Sequence, residues 1–228
     1  MKRLEAAGAA ALEIGIPFSD PIADGAEIQR ASERALGAGM DAHRALELVR
    51  RFRDGGGRVP VVVMTYLNPI LRDGVHEFCR EAREAGVDGV LVSDLPPDEA
   101  PEMWASFDAG GLDTVVLVAP TTLAARLPLL VARARGFVYC LARTGVTGAA
   151  GGEAAAIPER IAAIRALSEL PVAVGFGISN AEQAARLRGV ADAIVVGAAF
   201  MRAVGDGPEQ NAPARVESLA KELIDALR

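Results

Sequence analysis

The alternation of apolar strands with amphipathic helices restricts the fold of this sequence more than any other feature. Short apolar stretches predict strands at residues 11–16, 59–64, 89–92, 114–118, 137–141, 172–174 and 193–196. Helical periodicity predicts helices at residues 26–39, 41–53, 75–85, 97–109, 123–135, 158–170 and 181–188. Because each connection between strands is long enough for a crossover, the strands are expected to run parallel.

This repeated βα pattern predicts a (β/α)8 TIM barrel formed by a single domain over residues 1–228. The active site of such a barrel lies at the carboxyl ends of its strands. An open doubly wound sheet is the alternative fold. It is disfavoured because no dinucleotide-binding glycine fingerprint follows the first strand.

Composition narrows the range of ligands and compartments. The formal net charge is −6, and no cluster of lysines or arginines indicates a nucleic-acid or membrane surface, so small-molecule ligands are favoured. The two cysteines, Cys79 and Cys140, lack metal-binding spacing and are too few for a disulfide framework, which predicts a reduced cytoplasmic setting and no metal. The sequence contains neither a long apolar span nor a secretion signal, so no membrane association is expected.

The stretch LEIGIPFSDPIADG, residues 12–25, carries the first candidate chemistry. In a strand over residues 11–16, Leu12, Ile14 and Ile16 share one face, and Glu13 lies on the other. If helices cover the apolar face, Glu13 points into the protein interior, where burial raises the pKa of a carboxyl group. The alternative is that Glu13 lies in water at a frayed strand end.

The loop after this strand is rich in turn-forming residues, including two prolines and the pair Asp24-Gly25. Asp24 follows Glu13 by eleven positions, so a returning loop can bring both carboxylates over one pocket. Different environments would then separate their pKa values into acid and base roles. Asp24 could instead be a turn residue bonded to its own backbone, and for Asp20 that interpretation is favoured.

Glycine-bearing loops follow the last three predicted strands: ARTGVTGAAGG at 142–152, GFGIS at 175–179 and VGAAF at 196–200. Glycine lets backbone N–H groups approach an anion closely, and a short helix after Gly197 would direct its positive end to the same point. One such loop is ordinary turn chemistry, but three in succession predict the phosphate site of a barrel.

The segment around Glu13 and Asp24, its continuation GAEIQRASERAL, and RTGVTG at 143–148 resemble the tryptophan synthase α subunit family. The resemblance implies that Glu13 and Asp24 are the catalytic pair. It implies substrate-binding roles for Tyr66, Asp94, Tyr139, Thr147, Gly148, Phe176, Gly177, Gly197 and Ala198.

Among these positions, Thr147 would help close a loop over substrate, and Gly148 would reach the phosphate. For Tyr66 and Tyr139, core packing with a satisfied hydroxyl is the alternative to a role in the indole pocket. Ala198 departs from the family, whose members commonly carry a serine there, so only its backbone N–H can contact phosphate.

The resemblance further implies retro-aldol cleavage of indole-3-glycerol phosphate to indole and glyceraldehyde 3-phosphate. No cofactor is expected in this chain; pyridoxal phosphate is expected in a β subunit that receives the indole within an α2β2 heterotetramer. Two alternatives stay open: another phosphosugar lyase or isomerase on a TIM barrel, and a non-catalytic barrel that activates a β subunit.

Family members begin with a helix, a first strand and most of a first helix before the segment that matches EAAGAAALEIGIPFSDP, and this chain lacks them. We therefore expect a barrel without its first strand, with two unpaired strand edges and low stability on its own. Another chain, edge-to-edge association or a shift of residues 1–11 into the gap could offset that loss.

Overall fold

The computed structural model describes residues 1–142, 157–175 and 177–228, which form two compact units, Met1–Thr114 and Val115–Arg228. Each unit is a set of βα elements around a four-stranded parallel sheet. The prediction of a single domain over residues 1–228 stays a prediction.

The first unit has strands β1 to β4 in spatial order β1-β2-β3-β4, at Leu12–Gly15, Val61–Thr65, Gly89–Val92 and Asp113–Thr114. Its helices α1 to α6 are Lys2–Ala7, Ala26–Gly37, Ala42–Asp54, Leu67–Leu71, Val75–Ala85 and Pro101–Ala109. Residues opposite each other on neighbouring parallel strands share a face, and Glu13 lies opposite Val62, which lies opposite Gly89. This register puts Glu13 on the face that also carries alternate residues of β2 and β3.

The second unit has strands β5 to β8 in spatial order β5-β6-β7-β8, at Val116–Val118, Val138–Leu141, Val172–Gly175 and Ala193–Val195. Its helices α7 to α11 are Leu127–Arg133, Ile157–Arg165, Ala181–Ala185, Ala198–Gly205 and Ala212–Leu227, with a 3-10 turn at Glu209–Asn211. None of the helices in the described ranges combines the length and apolar character needed to cross a bilayer.

The predicted parallel βα arrangement is confirmed, with differences at element boundaries. The strand predicted at 114–118 is interrupted at Val115, so the described residues contain eight strand segments. Helix α6 begins at Pro101 rather than residue 97, because a turn follows the pair Pro96-Pro97 and a proline is well suited to the first helical turn. Helix α3 is capped as expected, since the Asp41 carboxylate accepts the backbone N–H of Arg44 at 2.9 Å.

Helix α11 was not predicted from the sequence. This helix buries Ala220 and Leu223, and Leu223 belongs to an apolar cluster with Ile178 and Ala184. Burial of a leucine side chain contributes roughly 1.5 to 3 kcal/mol, so this contact helps to hold the helix against the rest of the unit.

Residues 1–11 do not supply an additional strand. They contain helix α1, whose Glu5 carboxylate accepts the backbone N–H groups of Arg58 at 2.7 Å and Val59 at 3.0 Å. These two hydrogen bonds lower the pKa of Glu5 below its usual value. These contacts tie the helix to the entrance of β2, and the suggestion that this segment shifts into the gap stays a prediction. The expected instability of the chain stays a prediction.

An aspartate joins three elements in each unit. Asp88, just before β3, accepts the backbone N–H of Val61 at 2.7 Å and a guanidinium N–H of Arg53 at 2.7 Å. Asp192, just before β8, accepts the N–H of Val172 at 2.8 Å and a guanidinium N–H of Arg165 at 3.0 Å. Each carboxylate therefore ties the start of its own strand to the start of the preceding strand and to the helix that leads into that preceding strand.

We expect Asp88→Ala to lower the free energy of unfolding by about 1 to 3 kcal/mol, because it leaves the N–H of the fully buried Val61 without its acceptor. Urea denaturation measures the change. The control is Asp225→Ala, which removes only an exposed pair with Arg228 near the chain end and should have little effect. A loss no larger than that of the control would show that the carboxylate does not stabilise β2.

Candidate active site

Glu13 lies within β1, so the alternative of a frayed strand end is wrong. Its Oε2 atom is buried and has no hydrogen-bond partner in the described part of the chain. Burial, and secondarily the negative charge of Asp24, raises the pKa of Glu13 to about 7. A carboxyl group in this condition can both hold and release a proton near neutral pH.

Asp24 is also buried, with 8% of its surface exposed. Burial raises its pKa, and a hydrogen bond from the Tyr66 hydroxyl opposes that rise. The backbone here is fixed at two points: the Asp24 N–H donates to the Pro21 carbonyl at 3.0 Å, and the Gln29 side-chain amide donates to the Asp24 carbonyl at 2.9 Å. The loop therefore presents the Asp24 carboxylate in a defined position near Glu13.

Tyr66 connects this loop to the end of β2. Its hydroxyl accepts the backbone N–H of Ala23 at 3.0 Å and hydrogen-bonds the Asp24 carboxylate. Its ring packs on Phe18, with ring centroids 5.3 Å apart, and burial raises the pKa of its hydroxyl. Tyr66 is thus a packed residue with a satisfied hydroxyl, and it also supports the loop that carries Asp24.

Asp94 follows β3 and is exposed. Its Oδ1 accepts the backbone N–H of Leu67 at 2.8 Å, directly after Tyr66. Its charge is a minor contribution to the raised pKa of Tyr66. Asp94 therefore fixes the backbone beside Tyr66. Four of the predicted site residues, Glu13, Asp24, Tyr66 and Asp94, are linked within the first unit.

Tyr139 lies on β6 of the second unit and is 7% exposed. Its ring centroid is 6.5 Å from that of Phe137. A Cβ atom at Gly175, the last residue of β7, would lie 2.3 Å from the Tyr139 hydroxyl oxygen. Only glycine leaves room for the hydroxyl at this point.

The predicted anion-binding residues of the second unit follow neighbouring strands. Gly177, after β7, has a φ of +93°, a conformation that favours glycine. Gly197, after β8, is the N-cap of α10, and Ala198 is the first residue of that helix. The first N–H groups of a helix have no acceptor within it, so they are suited to an anion. Thr147, Gly148 and Phe176 lie outside the described residues.

Sequence reasoning missed three supporting residues, Phe18, Gln29 and Gly175. Their contacts depend on how the loop folds back over β2 and how Tyr139 lies across β7, which no local pattern reveals. Within residues 1–142, 157–175 and 177–228, no three histidine, cysteine or acidic side chains are grouped to hold a metal ion.

The parallel βα units, with one buried carboxyl group on β1 and another in the loop that follows it, define a TIM-barrel type of α/β protein, and comparisons with known proteins agree. The profile of the family described as tryptophan synthase alpha chain matches residues 1–228. The tryptophan synthase alpha chain of Alkalilimnicola ehrlichii is 48% identical over 228 residues, covering 100% of this chain and 82% of the relative. That of Phenylobacterium zucineum is 45% identical over 230 residues, covering 100% and 83%.

Solved structures show the same likeness. The crystal structure of tryptophan synthase subunit alpha from Legionella pneumophila str. Paris has a TM-score of 0.87 and 37% identity, covering 100% of this chain and 85% of that one. A crystal structure of tryptophan synthase from M. tuberculosis has a TM-score of 0.87 and 36% identity, covering 99% and 84%. The chain belongs to the tryptophan synthase alpha chain family, a family of lyases in tryptophan biosynthesis, and the predicted TIM-barrel fold is confirmed.

Proposed function

We propose that this chain cleaves indole-3-glycerol phosphate to indole and glyceraldehyde 3-phosphate by a retro-aldol reaction. The observation that carries the proposal is Glu13: a buried carboxyl group with an unpartnered oxygen and a pKa of about 7, beside a second buried carboxyl group. Membership of the tryptophan synthase alpha chain family supports this choice of substrate.

Cleavage of the carbon–carbon bond requires a group that accepts the bonding electrons. Glu13 first delivers a proton to C3 of the indole ring, which leaves the ring positively charged. Asp24 accepts the ring N–H and stabilises that charge. A proton then leaves the side-chain hydroxyl for Glu13, the aldehyde forms, and the electrons of the broken bond return to the ring. A pKa near 7 suits both of these proton transfers.

The remaining residues hold the reacting groups in place. Tyr66 positions the Asp24 carboxylate through its hydroxyl, and Asp94 fixes the backbone next to Tyr66. Tyr139 lines the indole pocket in this proposal, and its close approach to Gly175 holds the ring in one orientation. Thr147 and Phe176 complete the substrate contacts by family resemblance.

The backbone N–H groups of Gly148, Gly177, Gly197 and Ala198 bind the phosphate in this proposal. We expect Gly177→Val to weaken binding of glycerol 3-phosphate by about tenfold or more, because valine fills the space that the anion needs and is strained at φ +93°. Calorimetric titration measures the affinity.

Gly189→Val is the matched control. Gly189 also has a positive φ, of +71°, and no atom within 4 Å of an added Cβ, so the substitution causes similar strain in the same unit without approaching the predicted site. If both variants bind glycerol 3-phosphate equally well, the anion site lies elsewhere.

The proposed partner is a tryptophan synthase β subunit in an α2β2 heterotetramer, which carries the pyridoxal phosphate and takes up the indole. No cofactor is assigned to this chain, and its buried free thiols, Cys79 and Cys140, suit a reducing cytoplasm. The proposed contact surface is the loop of residues 17–25 with the neighbouring strand-end loops, and in that loop Ile22 is 82% exposed while Asp24 is buried.

A β subunit on this loop is expected to accelerate indole release, because a partner that binds one conformation of the loop raises the population of that conformation. Ile22→Asp should weaken co-purification and this acceleration. Leu48→Asp, at an exposed leucine on α3 of the same unit, is the control. An unchanged rate in a confirmed complex would contradict the activation.

The assay that tests the whole proposal is indole release from indole-3-glycerol phosphate, with and without a β subunit. Release that depends on Glu13 supports the lyase. Complex formation without release in either condition favours the non-catalytic barrel. Turnover of a different phosphosugar but not of indole-3-glycerol phosphate favours another lyase or isomerase.

A further inference from the structure

Ser93 lies at the carboxyl end of β3, beside Tyr66. Its backbone N–H donates to the Thr65 carbonyl at 2.9 Å, which continues the β2–β3 hydrogen-bond ladder by one residue. Since Thr65 lies opposite Val92, the next residues along, Tyr66 and Ser93, are neighbours on the same face.

That face is also the face of Glu13. Glu13 lies opposite Val62, and residues 62 and 64 of β2, together with Tyr66, the extended residue that follows the strand, alternate onto one side. Ser93 therefore shares a sheet face with Glu13 and Tyr66, two residues of the proposed active site. Ser93 was not among the site residues predicted from the sequence.

The Ser93 hydroxyl oxygen is buried and has no hydrogen-bond partner in the described part of the chain. The same face carries the fully buried Leu91, two residues earlier. A buried hydroxyl without a hydrogen-bond partner is unfavourable, so this group is suited to pair with a polar atom of a ligand. Among the described residues, three side-chain atoms are buried without a hydrogen-bond partner: the Ser93 hydroxyl oxygen, Glu13 Oε2 and Trp104 Nε1. Trp104 packs edge-on against Phe107 of the same helix.

The position of Ser93 along the strand indicates which part of a substrate it contacts. Gly89 is level with Glu13 across the sheet, and Ser93 is four residues further along the chain. At roughly 3.3 Å per residue, Ser93 lies about 13 Å beyond the level of Glu13 in the direction of the strands. Tyr66, in contrast, is level with Ser93, and its hydroxyl bonds Asp24. Ser93 therefore belongs with Asp24, the group assigned to the ring N–H, rather than with the proton transfers of Glu13.

We propose that Ser93 is a specificity-determining residue whose hydroxyl hydrogen-bonds a polar substituent on the indole ring. This inference rests on the proposed function, because it takes the Asp24 pocket as the ring site. An unsubstituted indole has one polar atom, its N–H, and Asp24 uses it. The Ser93 hydroxyl then stays unpaired, whereas a ring hydroxyl group at the matching position pairs with it. The site thus favours hydroxyl-substituted indole rings.

Binding of indole and of 4-, 5-, 6- and 7-hydroxyindole to the parent chain and to Ser93→Ala tests this inference. At least one hydroxyindole should bind the parent about tenfold more tightly than it binds Ser93→Ala. Indole itself should bind the variant as tightly as the parent or more tightly. Ser106→Ala, the same substitution on the exposed side of α6, should change none of these affinities. Ser93→Cys keeps the size of the side chain and should also lose the preference, which guards against a folding defect in the alanine variant.

Equal ratios of hydroxyindole to indole affinity in the parent and both Ser93 variants would overturn the inference. The cleavage assay separates it from the proposed function. If the parent releases indole from indole-3-glycerol phosphate but the ratios do not change, the assignment of Ser93 is wrong and the lyase stands. If the ratios change but the parent releases no indole, Ser93 contacts an aromatic ring in a site that is not a lyase.

Discussion

Glu13→Gln is expected to reduce indole release by a factor of about 10² to 10⁴, the usual contribution of a general acid–base group. Glutamine has nearly the shape of glutamate, but it cannot carry a proton between the side-chain hydroxyl and C3. The measurement is the steady-state rate of indole release, with thermal unfolding of the variant as a check that it is folded.

The exposed Glu99→Gln is the matched control, because it makes the same substitution at a carboxyl group that faces solvent. It should retain the parent rate. Binding of glycerol 3-phosphate to Glu13→Gln should also equal that of the parent, since the phosphate donors are backbone groups of other loops. A Glu13→Gln rate within a factor of two of the parent would remove Glu13 from the mechanism and favour the phosphosugar or binding-only alternatives.

The stability of the parent chain is expected to fall as the pH rises from about 4.5 to about 7, through the contribution of Glu13. Burial first, and then the charge of Asp24, raises the pKa of Glu13 from 4.5 to about 7 in the folded chain. In that interval the folded state binds more protons than the unfolded state, so raising the pH favours unfolding. The total change is on the order of 3 kcal/mol.

Glu13→Gln removes this contribution because glutamine does not titrate. The difference in free energy of unfolding, variant minus parent, should therefore increase by about 3 kcal/mol between pH 4.5 and pH 7.5. Urea denaturation at a series of pH values provides the curve, and Glu99→Gln should run parallel to the parent. Parallel curves for Glu13→Gln and the parent would show that Glu13 has an ordinary pKa, which would also weaken its assignment as a proton carrier.

The two expectations concern one physical feature. A carboxyl group that is unfavourable to bury as an anion lowers stability at neutral pH, and the same burial adjusts its pKa to proton transfer. The structure thus connects a cost in folding with a chemical role, and the two Glu13→Gln measurements test that connection independently.

The sequence by itself determined the order and type of most elements. Apolar stretches bounded by turn residues predicted the parallel strands, and the alternation within 11–16 put Glu13 opposite the apolar face, because side chains alternate strictly along a strand. The prolines and the Asp24-Gly25 pair likewise predicted a loop with a well-defined backbone. These features are local, so neighbouring residues suffice to reveal them. Helix α11 follows no strand and was not predicted, because only the tertiary burial of Leu223 reveals where the helix packs.

Only the tertiary structure decided which polar groups meet. Tyr66 is 42 positions from Asp24, yet its hydroxyl bonds that carboxylate and the Ala23 N–H, because β1 and β2 are neighbours. The roles of Gly175, which makes room for Tyr139, and of Ser93, which shares a face with Glu13, also depend on strand register. Register and chain return are set by contacts between distant residues, and the shifted pKa of Glu13 follows from the burial those contacts create.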